Sequence, residues 1–333
     1  MRIFNNLNRN IKRLNQGKNV VVALTIVFVL AICSVLGVVF FSDIEPALKQ
    51  HITLQLQLPL VITAILVGAA LASSGATLQV VLRNPLADPG IVGITSGASL
   101  VAAALLLLSP SWAQPYLHYL LPFGCFIGAL ATTFVIYRLA RKFLGSSTAV
   151  ILSGIAISTL AGAIIAWLYL FSDASALRNL TFWLMGSVYQ TNWPILAVGT
   201  PLIIGAVGGQ IFYAASLNKL YAGDIAARSS GVDVEKLTER SLILCAVAVG
   251  AAVSMAGSIA FVGLLVPHVL RLIVGHNNRW LLPLSALAGA SLLLLVALAS
   301  ELTRAITLPV SMVTATLGGP LLIWALAKGH VRG

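Results

Sequence analysis

Charged residues are scarce in this chain. Among its 333 residues, Asp, Glu, Lys and Arg together account for 9%, whereas a soluble domain carries about 25%. Hydrophobic residues account for 59%, and the mean hydropathy is +0.99. Because so few charges could not cover the surface of a soluble protein, the composition excludes a soluble globular chain and predicts a polytopic membrane protein.

Motifs that bind metals or nucleotides are also missing. The three cysteines, Cys33, Cys125 and Cys245, lie inside apolar runs and form no CxxC pair, which is typical of small core residues. The sequence contains no HExxH and no Gly-rich Walker loop. It therefore predicts no metal site, no cofactor and no ATP site of the chain's own.

Long apolar runs make up most of the sequence. Most of them reach the roughly 20 residues that a helix needs to cross about 30 Å of hydrocarbon. Backbone groups in hydrocarbon must be hydrogen-bonded internally, so we expect an all-α membrane protein with about ten transmembrane helices. The eighth run is the shortest and contains Pro267, His268 and Arg271. The runs are Val20–Phe41, Leu58–Leu82, Gly90–Leu108, Leu117–Tyr137, Ala149–Phe171, Trp193–Tyr213, Ser241–Ala260, Phe261–Gly275, Leu281–Ala299 and Ala305–Ala327.

Lysine and arginine are distributed unevenly among the connecting segments. Ten spans put both termini on the same side of the membrane. With that side inside, 17 of the 20 Lys and Arg are cytoplasmic, and only Lys49, Arg178 and Arg304 are outside. This bias predicts cytoplasmic termini, with residues 1–19 as a basic tail, and it explains the net charge of +11 without a nucleic-acid partner.

One long polar segment, residues 218–240, interrupts the apolar runs on the cytoplasmic side and carries eight charged residues. We expect Asp224 to N-cap a short helix, Ile225–Ser230, and Gly231 to end it in the left-handed conformation. Asp233 would cap a second helix that continues into the next span. Two short helices at the membrane rim would form a docking surface, although an ordinary solvated loop also fits the sequence.

Several short motifs recur and indicate a duplication of about five helices. Because five is odd, the two halves would have opposite topology and form an inverted repeat. Chance recurrence of small-residue motifs in an apolar sequence is the alternative. The pairs are Val67–Ala70 with Val249–Ala252, Gly75 with Gly257, Pro85 with Pro267 and, at a larger offset, Gly97–Leu100 with Gly289–Leu292.

Two other function classes are open from the residues alone. Ser99 or Ser291 with His268 could form a membrane serine protease, although serine in Gly- and Ala-rich spans is usually helix-packing material. An ion-coupled secondary carrier would need Asp, Glu or His pairs deep in its spans, and the predicted span centres hold almost none. A transporter-like chain without such charges favours power supplied by a partner.

The chain is similar to the permeases of binding-protein-dependent ABC importers for vitamin B12, ferric siderophores and haem. The resemblance covers essentially the whole chain after residue 50, and within the family it is strongest to the vitamin B12 members, notably over Leu281–Ser291. Its most specific stretches are LPLVITAILVGAALASSGATLQVVLRNPLADPGIVGITSGAS (Leu58–Ser99), SIAFVGLLVPHVLRLIVG (Ser258–Gly275) and LPVSMVTATLGGPLLIWAL (Leu308–Leu326).

The resemblance implies a single permease domain, residues 1–333, in the bacterial inner membrane, which is not itself an enzyme. Two copies would form a homodimer with the pathway between them, lined by the fifth and tenth spans. Cytoplasmic ATPase subunits would grip the 218–240 segment, and a periplasmic binding protein would deliver cobalamin or a similar large chelate. The implied coupling residues are Asp224, Ile225, Ala226, Ala227, Arg228 and Gly231, and the implied cytoplasmic gate is Ser146, Ser147 and Thr148, which also fit a plain helix N-cap.

The chain departs from its family at the positions that bind the periplasmic partner. The vitamin B12 permeases carry arginines before the second span and at the end of the ninth, and these pair with acidic residues of the binding protein. Here Gln57, Leu60 and Glu301 stand at those positions. Arg304, one turn after Glu301, could substitute as a docking residue.

Overall fold

The computed structural model describes residues 2–40, 45–143, 147–303 and 308–327, and their regular secondary structure is entirely helical. A π-helical stretch, Thr53–Gln57, joins the second and third α-helices, and a 3-10 helix, Ser111–Tyr116, precedes the fifth. The predicted all-α fold class is confirmed. In chain order, the α-helices are α1 Arg2–Phe40, α2 Pro46–Ile52, α3 Leu58–Val81, α4 Ile94–Leu108, α5 Leu117–Phe143, α6 Ser147–Leu170, α7 Ala174–Met185, α8 Trp193–Phe212, α9 Ala214–Tyr221, α10 Asp224–Ser229, α11 Val234–Ala256, α12 Val262–Val274, α13 Asn278–Thr303 and α14 Val310–Ala327.

Each of the ten predicted apolar runs coincides with one helix, namely α1, α3, α4, α5, α6, α8, α11, α12, α13 and α14. Among the described residues, seven helices are long and apolar enough to cross a membrane. The helices α4 and α12 have 15 and 13 residues, so they rise only about 22 and 20 Å at about 1.5 Å per residue. The third and eighth runs are therefore shorter than full spans.

Three helices, α3, α11 and α13, form the centre of the bundle. In their most apolar stretches 72%, 67% and 61% of the residues are buried, whereas the share in α6 is 22%. The helix α3 packs against α13, α11, α12 and α8. The helix α3 is thus the centre of this group of helices, whereas α6 presents a largely uncovered apolar surface.

Glycines let α3 approach two of its neighbours at backbone distance. A Cβ atom added at Gly68 would lie 2.2 Å from the carbonyl oxygen of Gly289 on α13. One added at Gly75 would lie 1.9 Å from the carbonyl oxygen of Gly263 on α12. Because no side chain fits at these crossings, the small residues fix how closely the three helices pack.

The connection between α11 and α12 is irregular, and hydroxyl groups of α14 satisfy its backbone. Ser311 Oγ donates to the carbonyl of Ser258 at 2.8 Å and accepts from the amide of Ala260 at 3.2 Å. Thr314 Oγ1 donates to the carbonyl of Ala260 at 2.8 Å. Non-helical backbone inside a membrane protein needs such partners, so these hydroxyls hold the break between the two helices.

Pro267 interrupts the hydrogen bonding inside α12. Because proline has no amide hydrogen, the carbonyl of Gly263, four residues earlier, loses its helical donor. Gln79, a buried residue of α3, donates to this oxygen from Nε2 at 3.4 Å. The proline therefore leaves the Gly263 carbonyl free to accept from Gln79, and this hydrogen bond connects α12 to the central helix α3.

A five-helix repeat relates the second span to the seventh and the fourth to the ninth. A contact between the second and ninth spans should therefore be matched by one between the seventh and fourth. Gly68 on the second span faces the ninth span, whereas Gly250 on the seventh span faces Ala129 of the fourth. The two short helices, α4 and α12, are the third and eighth spans, which are also five apart. Both observations support an inverted repeat.

One of the sequence echoes does not fit this repeat. Gly97 lies on α4, the third span, and packs against Gly128 of α5, whereas Gly289 lies on α13, the ninth span. The two positions are six spans apart, so the pairing of Gly97–Leu100 with Gly289–Leu292 was wrong as part of a five-helix duplication. Small residues recur at both places because both helices pack closely there.

We expect Gly68→Ala to destabilise the protein, since its methyl group must push α13 away from α3. Overpacking of this kind costs about 1–3 kcal/mol in the free energy of unfolding. The matched control is Gly205→Ala on α8, where an added Cβ meets nothing within 4 Å. The melting temperature in detergent should fall for the first variant and stay unchanged or rise for the second. Equal melting temperatures would contradict the close contact.

Candidate functional site

The polar segment of residues 218–240 forms a compact, charged surface built from three helices. It comprises the second half of α9, all of α10 and the first two turns of α11. Gly223 has a φ of +114°, and it separates α9 from α10. The predicted pair of short helical elements is present, although the second element is the beginning of the long helix α11.

The start of α10 differs from the prediction. The N-cap residue is Gly223, and Asp224 is the first residue of the helix rather than its cap. The Asp224 carboxylate forms an ion pair with the guanidinium of Arg83, which follows α3. The expected capping role of Asp224 was wrong, because a cation from a distant part of the sequence binds the carboxylate. A carboxylate in the first turn still interacts favourably with the helix dipole.

The end of α10 and the start of α11 agree with the prediction. Gly231 has a φ of +79°, and its amide donates to the carbonyl of Arg228 at 3.0 Å. The amide of Val232 donates to the carbonyl of Ala227 at 3.0 Å, which completes a Schellman-type ending. Asp233 then caps α11 by accepting the amide of Lys236 at 3.1 Å. This hydrogen bond and the Lys236 ammonium lower the pKa of Asp233 below its usual range.

The helix α10 turns an apolar residue toward solvent. Ile225 is 87% exposed, whereas Ala227, on the inner side, is fully buried. Arg228 is exposed and pairs with Glu235 of α11 at 3.3 Å. Ile225 is therefore the apolar side chain that α10 presents at the outer surface of the polar segment.

The helix α9 is fastened to the turn between α12 and α13. The amide oxygen of Asn218 accepts from the backbone amide of Asn278 at 2.7 Å, and its Nδ2 donates to Oδ1 of Asn277 at 2.8 Å. One turn later, Tyr221 stacks on His276 with ring centroids 5.2 Å apart. These contacts hold the base of the polar segment against the second half of the bundle.

A cavity of about 590 Å³ lies behind α10. It is bounded by the ends of α3 and α5, the start of α6, and the helices α10 and α11. Thr148, one of the expected gate residues, lines this cavity together with Asp224 and Arg228. Ser147 is the first residue of α6, and Ser146 lies outside the described residues. The polar lining residues are Arg83, Tyr137, Arg141, Thr148, Asp224, Arg228, Glu235 and Thr238.

At the opposite end of the bundle, two of the positions where the vitamin B12 permeases carry arginines are buried. Gln57 and Leu60 are only 3% and 4% exposed. Gln57 donates from Nε2 to the carbonyl of Val35 in α1 at 3.0 Å, so it binds its own chain. Glu301 is partly buried near the end of α13, and Arg304 lies outside the described residues.

Catalytic and metal-binding arrangements receive no support from the described ranges. Within residues 2–40, 45–143, 147–303 and 308–327, no cluster of three His, Cys, Asp or Glu could hold a metal ion. Ser291, a residue of the protease alternative, donates from Oγ to the carbonyl of Leu287 in its own helix at 2.8 Å. That hydroxyl is therefore used within the helix.

Polar contacts between residues far apart in the sequence were not predicted. Arg83 and Asp224 are 141 residues apart, and no local pattern connects them. Gln210, fully buried in α8, donates from Nε2 to Ser74 Oγ of α3 at 3.0 Å. A lone glutamine inside an apolar run was the available signal, since such a residue must find a partner in the bundle.

Comparisons with known proteins agree on the type of protein. Residues 19–328 match the FecCD transport family. The chain is 41% identical over 290 residues to the vitamin B12 import system permease protein BtuC of Vibrio cholerae, covering 85% of each chain. It is 42% identical over 280 residues to the hemin transport system permease protein HmuU of Yersinia pestis, covering 84% of each. Its structure matches an inward-facing metal-chelate type ABC transporter with a TM-score of 0.84 and 30% identity, covering 93% of this chain and 99% of the other.

Proposed function

This chain belongs to the FecCD transport family, and on that premise we propose that it is the membrane-spanning permease subunit of a binding-protein-dependent ABC importer for vitamin B12. The main observation behind this proposal is the 41% identity to a vitamin B12 import permease over 85% of both chains. A second relative of that name, from Vibrio vulnificus, is 39% identical over 93% of both chains. The likeness spans the whole bundle rather than one motif.

A permease for haem or a ferric siderophore is the second candidate. The hemin permease of Yersinia pestis is as similar to this chain as the vitamin B12 permeases are. Both substrates are large metal chelates, so the same bundle would serve either. An ion-coupled carrier, in contrast, has no support from the family.

ATP hydrolysis belongs to a separate cytoplasmic subunit in this proposal. The chain carries no nucleotide-binding motif, so the energy must enter through a contact with a partner. The surface of α10 is the proposed contact, because it combines the exposed Ile225 with charged neighbours. The proposed coupling residues are Asp224, Ile225, Ala226, Ala227, Arg228 and Gly231.

The remaining partners are a second copy of the chain and a periplasmic binding protein. The poorly buried helix α6, the fifth span, would line the pathway between the two copies together with α14. Ser146, Ser147 and Thr148, at the start of α6, would form the cytoplasmic gate. Docking of the binding protein is assigned to Arg304, one turn after Glu301, because Gln57, Leu60 and Glu301 stand where the vitamin B12 permeases carry arginines.

Orientation follows from the charge bias. The whole chain, residues 1–333, would form one permease domain of the bacterial inner membrane with both termini cytoplasmic. We expect Arg279→Cys, at the exposed start of α13, to react with an impermeant maleimide only after the inner membrane is opened. Ser175→Cys, on α7, should react in intact spheroplasts. The unsubstituted chain controls for Cys33, which is exposed. The reverse labelling pattern would contradict this orientation.

The contact at α10 is tested by Ile225→Asp. We expect the ATPase subunit to bind at least about tenfold more weakly, because a carboxylate replaces an apolar anchor in a buried contact. Ile225→Leu keeps the apolar side chain and should bind as the unchanged protein does. Co-purification of the ATPase measures both variants. Unchanged binding of the ATPase subunit by the Ile225→Asp variant would contradict the proposed contact at α10.

Uptake of radiolabelled cyanocobalamin tests the function itself. The chain and its neighbouring importer genes should be expressed in a bacterium that lacks its own vitamin B12 permease. We expect uptake that requires ATP and persists when the proton gradient is collapsed. Uptake of haem but not of cyanocobalamin would favour the second candidate. Uptake that follows the proton gradient and ignores ATP depletion would contradict the importer.

A further inference from the structure

Arg83 occupies a backbone position that ordinarily suits glycine. It follows the end of α3 with a φ of +49°. Its amide donates to the carbonyl of Val80, and the amide of Asn84 donates to that of Gln79, both at 3.2 Å. This is a Schellman ending, in which glycine is the usual left-handed residue because other side chains strain the backbone. A strained arginine at this place indicates that its side chain has a use.

The Arg83 side chain reaches the first residue of α10. Its Nη2 forms an ion pair with Oδ1 of Asp224, and both side chains are about half exposed, at 45% and 47%. Asp224 does not cap its own helix, so this carboxylate is directed to Arg83 rather than to local backbone. The pair therefore joins the end of the central helix to the helix that carries Ile225.

The other contacts of α10 lie mostly within the polar segment. Ala227 is its one buried residue, and Arg228 pairs with Glu235 at the start of α11. Lys219 of α9 donates to the carbonyl of Ser230 at 3.1 Å. The 590 Å³ cavity behind α10 separates it from the end of α5 and the start of α6. Across this gap, the ion pair with Arg83 connects α10 to the bundle.

The helix α3 is suited to pass a displacement onward. It is the most buried of the seven apolar spans, and it meets α13 and α12 at backbone distance through Gly68 and Gly75. Close-packed helices move as units rather than deforming gradually. A pull on the end of α3 would therefore act on the centre of the bundle.

We propose that the Arg83–Asp224 ion pair links the ATPase-facing helix α10 to the central helix α3, which makes Arg83 a positioning residue for ATP-driven transport. The proposal rests on the proposed importer function. Its consequence is specific: without the pair, the ATPase still binds and hydrolyses ATP, but less of its motion reaches the bundle. The measured quantity is the amount of cobalamin carried per ATP hydrolysed.

Arg83→Gly separates this role from a structural one. Glycine relieves the left-handed backbone while removing the ion pair, so we expect the melting temperature to stay or rise. In the complete importer reconstituted in proteoliposomes, ATPase binding should be unchanged and cobalamin carried per ATP should fall about two- to fivefold, the range in which partly exposed ion pairs act. Arg279→Gln is the matched control, since it also removes one exposed cation, at the start of α13 and outside the polar segment, and it should leave the cobalamin carried per ATP unchanged.

A charge exchange completes the test. Arg83→Asp should impair transport alone, and Arg83→Asp with Asp224→Arg should restore it, because aspartate tolerates the left-handed conformation and the pair is rebuilt in reverse. Full transport per ATP in Arg83→Gly, or no rescue by the exchange in a variant that still binds the ATPase, would overturn the link. Failure of the unchanged importer to carry cobalamin with ATP would instead overturn the proposed function, and the link would fall with it.

Discussion

The need to satisfy every backbone hydrogen bond inside hydrocarbon is the constraint on which this structure depends. It makes helix the conformation of each apolar run and limits where a helix can stop. At the break between α11 and α12, Ser311 and Thr314 supply the missing partners. At Pro267, Gln79 takes over the carbonyl that the proline leaves free. These three polar side chains are therefore placed where the chain departs from regular helical hydrogen bonding.

The same constraint explains which parts of the fold were predictable. An apolar run long enough to span the membrane has one available conformation, so the positions of the ten helices followed from the sequence. Their packing did not, because small residues occur wherever two helices approach, whichever helices these are. That is why the echo of Gly68 and Gly250 agreed with a repeat, whereas the equally similar echo of Gly97 and Gly289 did not.

The candidate site shows a similar division between local and distant interactions. The glycine ending of α10 and the cap at Asp233 were predictable, since each depends on residues within one or two turns. The predicted N-cap at Asp224 was wrong because its carboxylate binds Arg83 instead. Arg83 is brought to this position by the fold, so the local sequence does not reveal it. The cavity behind α10 and the burial of Gln57 are likewise results of packing that no local pattern contains.

The two helices joined by the Arg83–Asp224 ion pair are held in place by different interactions. In the centre of the bundle, glycines bring the backbone of α3 into contact with the backbones of α13 and α12. Even a small shift of α13 or α12 relative to α3 would break these contacts. Around α10, the ion pairs Arg83–Asp224 and Arg228–Glu235 are half-exposed or mostly exposed, and such pairs contribute only about 0–1 kcal/mol each in water. In the proposed importer, a force that the ATPase applies at Ile225 would pass through these ion pairs before it reaches the closely packed helix α3. Because closely packed helices shift as units, a displacement that reaches α3 favours movement of the packed helices as one body.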